Sequence, residues 1–181
     1  FEGGVLRFSI DAYKDDDEYI RYHTSWNSVL ESMNNSRRLH NKWNFLTQTT
    51  VQMLNCLGMD KLISFFDEYI YEDNSQRFYL GFTTVRGKDY LRHEMVPLEL
   101  RLQQVKKLKE LRETLHIFTT HNLKEHHVRS INMLIQTLQS EEYTDPSLFH
   151  NAKSYFDRLS ELRKKDYYQQ FDQLKILKEN S

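Results

Sequence analysis

Two prolines and five glycines are the only strong backbone breakers in 181 residues. Proline removes an amide donor and glycine carries the largest backbone entropy cost, so a chain poor in both has few places to stop a helix. Long helices are therefore the economical reading. The same scarcity excludes several chemistries. There is no Gly-x-x-x-x-Gly-Lys-Ser/Thr, no Gly-x-Gly-x-x-Gly and no Gly-x-Ser-x-Gly, so neither a glycine-rich phosphate cradle nor a nucleophile elbow is present in the sequence.

Apolar spacing divides the chain into segments. Residues 3–10, GGVLRFSI, have the composition of a short extended piece. The acidic run Asp15, Asp16, Asp17 and Glu18 suits a helix N-terminus, where negative charge opposes the positive end of the dipole. Tyr19, Tyr22, His23, Trp26, Val29, Leu30 and Met33 follow at three-and-four spacing and predict a first helix, broken at Asn34, Asn35 and Ser36. Leu39, Trp43, Leu46, Thr50, Leu54 and Leu57 trace a second helical stripe that Gly58 is placed to cap. A third helix is expected from about Asp60 to Tyr71. The stretch 76–86 alternates, with Phe78, Leu80, Phe82 and Val85, and predicts a short strand or an ordered loop.

The second half is more regular. Pro97 suits the start of a helix carrying Leu98, Leu102, Val105, Leu108, Leu111, Leu115 and Phe118. Asn122 with Glu125 has the spacing of a capping box ahead of Val128, Ile131, Leu134, Ile135 and Leu138. Asp145 followed by Pro146 reads as cap and first residue of a last helix reaching Lys178. The fold class expected is all-α: an elongated bundle of about six helices, divided into an N-terminal helical part (1–75), a connector (76–96) and an antiparallel C-terminal part (97–181), together one continuous domain.

Charged residues make up 28% of the chain and apolar ones 39%, with a mean hydropathy of −0.75, which fits a body with much solvated surface. An aromatic content of 13% argues for a folded chain. Cys56 is the only cysteine, so no internal disulfide or cysteine-rich zinc site can form, and an intracellular, reducing compartment is expected, cytoplasm or nucleus. No stretch approaches the length of a membrane span. Opening on Phe1 and not on Met, the chain is expected to be an excised fragment whose targeting information lies elsewhere.

Eight histidines invite a search for catalysis. Glu113 and His116 have the Glu-x-x-His spacing of carboxylate-bridged metal bundles, but no second copy exists, so they read as a solvated pair. His121, His126 and His127 lack the His-Glu-x-x-His order and read as solvent-facing residues at a helix start. Cys56, between Leu54 and Leu57, reads as a small buried thiol. The expectation is a non-catalytic chain with no metal and no cofactor.

Charge distribution carries the remaining signal. Residues 1–20 hold six acids and two bases, whereas 101–129 hold seven bases (Arg101, Lys106, Lys107, Lys109, Arg112, Lys124, Arg129) against three acids. Arg163, Lys164 and Lys165 form a smaller cluster beside Tyr167 and Tyr168, and all ten are candidate contacts for an anionic partner. The net charge of −1 weighs against a dedicated nucleic-acid module. The function expected is therefore protein–protein interaction, an adaptor or scaffold that binds another protein or itself as a homodimer. Binding of nucleic acid or an anionic membrane surface through the basic clusters is the alternative.

Overall fold

Gly4–Ser9 form strand β1, Trp43–Val51 strand β2 and Phe78–Thr84 strand β3. The structure, a computed structural model, describes residues 3–39, 42–73, 77–119, 123–143 and 145–179. The strands lie in the order β1-β2-β3 and both pairs are parallel. Leu6, Phe45 and Phe78 share one row, and Ser9, Gln48 and Gly81 share another. Parallel neighbours cannot be joined by a tight turn, so each link is a helical crossover. Helices α1 (Asp15–Ile20) and α2 (Trp26–Arg37) join β1 to β2, and α3 (Met59–Asp73) joins β2 to β3.

This sheet corrects the all-α expectation: the chain is mixed α/β, helical for most of its length but with a three-stranded parallel sheet. The error lies at 39–57, where Leu39, Trp43, Leu46, Thr50, Leu54 and Leu57 give a helical spacing that the chain does not use. The alternating set is Phe45, Thr47, Thr49 and Val51, which is buried throughout. Two of its members are threonines, so the apolar alternation is masked. Their hydroxyls are satisfied inside the fold, Thr49 Oγ1 donating to the Ile10 carbonyl at 2.6 Å and Thr47 Oγ1 to that of Tyr79 at 3.3 Å. The β-branched and aromatic composition of WNFLTQTTV is the signal that identifies the strand.

One face of the sheet meets the helices. Phe45 stacks on Phe78 at 4.9 Å, and Tyr69 of α3 sets its ring edge against Phe78 at 5.4 Å. Ile63, Phe66 and Ile70 of α3 belong to the same buried cluster. Each such side chain contributes about 1.5–3 kcal/mol through apolar burial. On the opposite face, none of Val5, Arg7, Ser9, Asn44, Leu46, Gln48, Thr50, Tyr79, Gly81 and Thr83 is buried.

After β3 come α4 (Leu98–Arg112), α5 (His116–Thr119), α6 (Lys124–Leu138) and α7 (Pro146–Arg163). The Asp145–Pro146 start of α7 is as expected, with Asp145 Oδ1 accepting from the Ser147 N–H at 2.8 Å. The proposed capping residue Asn122 lies outside the described residues. The expected helix to Lys178 is interrupted instead: Lys164 turns left-handed (φ 52°), and two short helices follow, α8 (Tyr167–Gln170) and α9 (Ile176–Glu179). That turn folds the C-terminal segment back onto the N-terminal one, where Tyr167 is fully buried and donates its hydroxyl to the Tyr19 carbonyl at 3.1 Å.

The first predicted helix is also two. Its break, between α1 and α2, places the Glu18 carboxylate on the Trp26 N–H at 2.7 Å and leaves His23 at φ 69°, a left-handed conformation uncommon outside glycine.

Candidate functional site at the carboxyl ends of the strands

In sheets of parallel strands the chain leaves each strand at the same end, so the connecting loops gather there. Here that end is built around Asp11, just beyond β1. Asp11 Oδ1 accepts from the Thr50 N–H of β2 at 2.8 Å, and Oδ2 lies 3.2 Å from Arg21 Nη1. Asn55 binds the two loops together, donating from Nδ2 to the Asp11 carbonyl at 2.6 Å and to that of Thr50 at 2.8 Å, and accepting from the Gln52 N–H at 2.8 Å. Asp17 of α1 accepts from the N–H groups of Asp11 at 2.7 Å and Ala12 at 3.2 Å. Its burial pushes the carboxyl up to about 6, against the two backbone donors that favour the charged form.

The C-terminal segment seals one side of these loops. Gln173 Nε2 donates to the Leu54 carbonyl at 2.6 Å, and Gln170 Nε2 to Asp16 Oδ1 at 2.5 Å. The other side is open. Between β1 and α2 lies a cavity of about 340 Å³ lined by Arg7, Ser9, Arg21, His23, Thr24, Ser25, Ser28 and Ser32, with Phe8, Ile10 and Val29. Among the described residues no carboxylate lines it. Arg21 is held at its edge by Asp11 and by Ser9 Oγ, which accepts from Nη1 at 2.9 Å, while its side chain stays 34% exposed. Arg7 has no ion-pair partner among the described residues. His23 packs against Tyr22 with ring centres 3.8 Å apart.

The residues singled out in the sequence are placed elsewhere. Arg101 is wholly buried: Nε donates to the Val96 carbonyl at 2.8 Å, and Nη1 to those of Leu138 and Ser140, each at 2.8 Å. It ties the end of α6 to the start of α4 and cannot meet a partner. Lys106, Lys107 and Lys109 are exposed on α4, with Lys107 Nζ 3.9 Å from Asp60. Arg112 is engaged with Glu113 at 3.1 Å and Asn132 at 2.9 Å. Lys124 and Arg129 line an open cavity of about 600 Å³ on α6 together with Glu125. Arg163 and Lys165 lie over the rings of Tyr22 and Tyr19, 4.7 and 4.2 Å from their centres, and Lys164 is exposed. The ten residues thus spread over several helices.

Among the described residues no group of three or more His, Cys, Asp or Glu side chains converges as a metal site would. Glu113 is exposed beside Arg112, and His116 stacks on Tyr71 at 4.3 Å. His127 is buried, not solvent-facing, and His126 Nε2 lies 3.1 Å from the Leu80 carbonyl. His121 falls outside the described residues. Cys56 is buried, which pushes its thiol up to about 12. Among the described residues no helix is long and apolar enough to cross a membrane.

Comparisons with family models, with curated proteins and with solved structures find no match for this chain.

Sequence reasoning passed over Ser9, Asp11, Arg21 and Asn55. Their meeting depends on β1 and β2 lying parallel and adjacent, which a helical reading of 39–57 forbids. The S-I-D triplet at the end of an apolar run and the buried-strand composition of 43–51 are the signals that point to them.

Proposed function

We propose that this domain binds a small anionic molecule, carrying a phosphate or carboxylate group, at the carboxyl end of β1. The observation that carries the reading is Arg21: a guanidinium about one-third exposed, held in place by Asp11 and Ser9, at a cavity lined by a second arginine, a histidine and five hydroxyl side chains and, among the described residues, no carboxylate. A guanidinium fork suits planar or tetrahedral oxyanions because it offers two parallel donors. Serine and threonine hydroxyls supply the remaining donors. The N-terminus of α2 is already occupied by Glu18, so the arginines and not the helix dipole are the recognition groups.

The reading is of a binding domain. Asp11 and Asp17, the nearest carboxylates, each accept backbone N–H groups through Oδ1, which suits them to fix the loops in place. Protein binding, the class the sequence favours, is a second reading, and the outer edge of β1 is the place that favours it.

Calorimetric titration with a panel of phosphorylated and carboxylated metabolites tests the first reading. A ligand should bind the native chain and lose roughly ten- to a hundredfold in affinity on Arg21→Gln, the loss of one charge-assisted contact. Arg7→Gln should weaken it less. No binding by any anion, or binding unchanged by either variant, would refute the proposal.

A further inference from the structure

The two outer edges of the sheet are treated differently. The N–H groups of Gly4 and Ile10 donate to the Lys42 and Gln48 carbonyls, so the even-numbered residues of β1 face β2. The N–H and C=O groups of Val5, Arg7 and Ser9 therefore point outward. Among the described residues nothing bonds them. At the far edge, the outward carbonyl of Leu80 is covered by α6, accepting from Ser130 Oγ at 2.8 Å and facing His126 Nε2 at 3.1 Å.

Folded proteins blunt open edges with proline, bulges, lysine or a covering helix, because a bare row of alternating donors and acceptors recruits another strand. β3 has such a cover. At β1 no described residue bonds the outward groups, α2 standing off across the cavity, and Val5 is 56% exposed. Wholly parallel sheets are also normally covered on both faces, whereas the Val5, Arg7 and Ser9 side of this one is unburied.

We infer that the outer edge of β1 takes up an extended, acidic polypeptide segment of another protein as a fourth strand, parallel to β1. The strand form follows from the outward groups, which only a backbone of matching spacing can satisfy together. The acidic character follows from charge. Arg7, on the edge strand, has no ion-pair partner among the described residues and is the charge the added segment meets, since Arg21 beside it is already paired with Asp11. The same charges disfavour a second copy of this chain, since a two-fold pairing of β1 with β1 would bring the two Arg7 side chains together. Parallel entry continues the order of the sheet and puts the exit of the added strand beside Ser9.

Amide hydrogen exchange on the full chain tests this with two synthetic heptapeptides, Thr-Val-Glu-Val-Glu-Val-Thr and its counterpart with lysine for glutamate, both capped at their ends. The glutamate peptide should slow exchange at Val5, Arg7 and Ser9 by about tenfold or more, because these amides gain partners, while Leu6 and Phe8 stay as they were. The lysine peptide should not, and Arg7→Glu should reverse the preference. A spin label at the N-terminus of the glutamate peptide should broaden the amide signals of residues 4 and 5 before that of Ser9. Val5→Pro removes an outward donor that the β1–β2 ladder does not use, and its circular dichroism reports whether the fold is kept. Unchanged exchange with both peptides, equal protection by both, or broadening that starts at Ser9 would overturn the inference. Protection that appears without peptide and grows with protein concentration would replace the acidic segment by a second copy. Arg21→Gln should lower anion affinity by roughly ten- to a hundredfold, whereas the glutamate peptide, held by the outward backbone groups and Arg7, should still protect Val5, Arg7 and Ser9, so the two proposals fail separately.

Discussion

Asp11 holds the Arg21 guanidinium 3.2 Å away with one carboxylate oxygen while the other accepts the Thr50 N–H of the neighbouring strand at 2.8 Å. One side chain thus fixes the position of a surface cation relative to the sheet. Asp11→Asn keeps the acceptor for Thr50 but removes the charge that faces Arg21. Stability should change little, by about 1 kcal/mol or less for a part-exposed pair, and anion affinity should fall because Arg21 is no longer held. Denaturant titration and calorimetry on the same preparation separate the two effects.

Arg101 and Lys106 are both basic residues of α4, and their substitution should have opposite consequences. Arg101→Ala strands three carbonyl groups inside the fold and is expected to cost about 3–5 kcal/mol. Lys106→Ala, on the exposed side of the helix, should stay within about 0.5 kcal/mol. Urea unfolding midpoints measure both. Equal effects would show that Arg101 is not the clamp between α4 and α6.

Asp17 makes stability depend on pH in a stated direction. Its folded value is raised to about 6 by burial, while an unfolded aspartate titrates near about 3.9. The folded state therefore binds the proton more tightly, and its stabilising contribution is complete below about pH 4 and lost as pH rises through about 6. At about 1.4 kcal/mol per pH unit, the native chain should lose roughly 3 kcal/mol across that window relative to Asp17→Asn. Parallel denaturation series at several pH values would show it. A difference between the two chains that does not vary with pH would mean that Asp17 is not the group responsible.

Cys56 is enclosed and its thiol is pushed up to about 12. In the native chain it should not react with a thiol reagent such as dithionitrobenzoate on the scale of minutes at pH 8, and it should react stoichiometrically in denaturant. Rapid native labelling would place the residue in a far more open setting than this fold provides.

Much of the local structure was legible in the sequence. GGVLRFSI marked β1, the alternation Phe78, Leu80, Phe82 marked β3, and Asp145–Pro146 marked the start of α7. β2 was not, because Thr47 and Thr49 stand on its buried side, and a polar residue at a core position is invisible to a hydrophobic period when its hydroxyl is satisfied across the sheet. That one strand decided the fold class, and with it the site. Asp11, Arg21 and Asn55 are scattered polar residues until β1 and β2 run side by side. The basic residues of 101–129 had the reverse fate, since counting charge along the chain cannot separate Arg101, turned inward, from Lys106, turned out.

The most direct test of the central claim is a two-dimensional amide NMR titration of the native chain with inorganic pyrophosphate. Saturable shifts should concentrate at Ser9, Arg21 and His23 through Ser25, and Arg21→Gln should reproduce them weakly or not at all. Shifts that do not saturate, or that centre on Lys106, Lys107, Lys124 and Arg129, would contradict it and return the anion-binding surface to the basic helices.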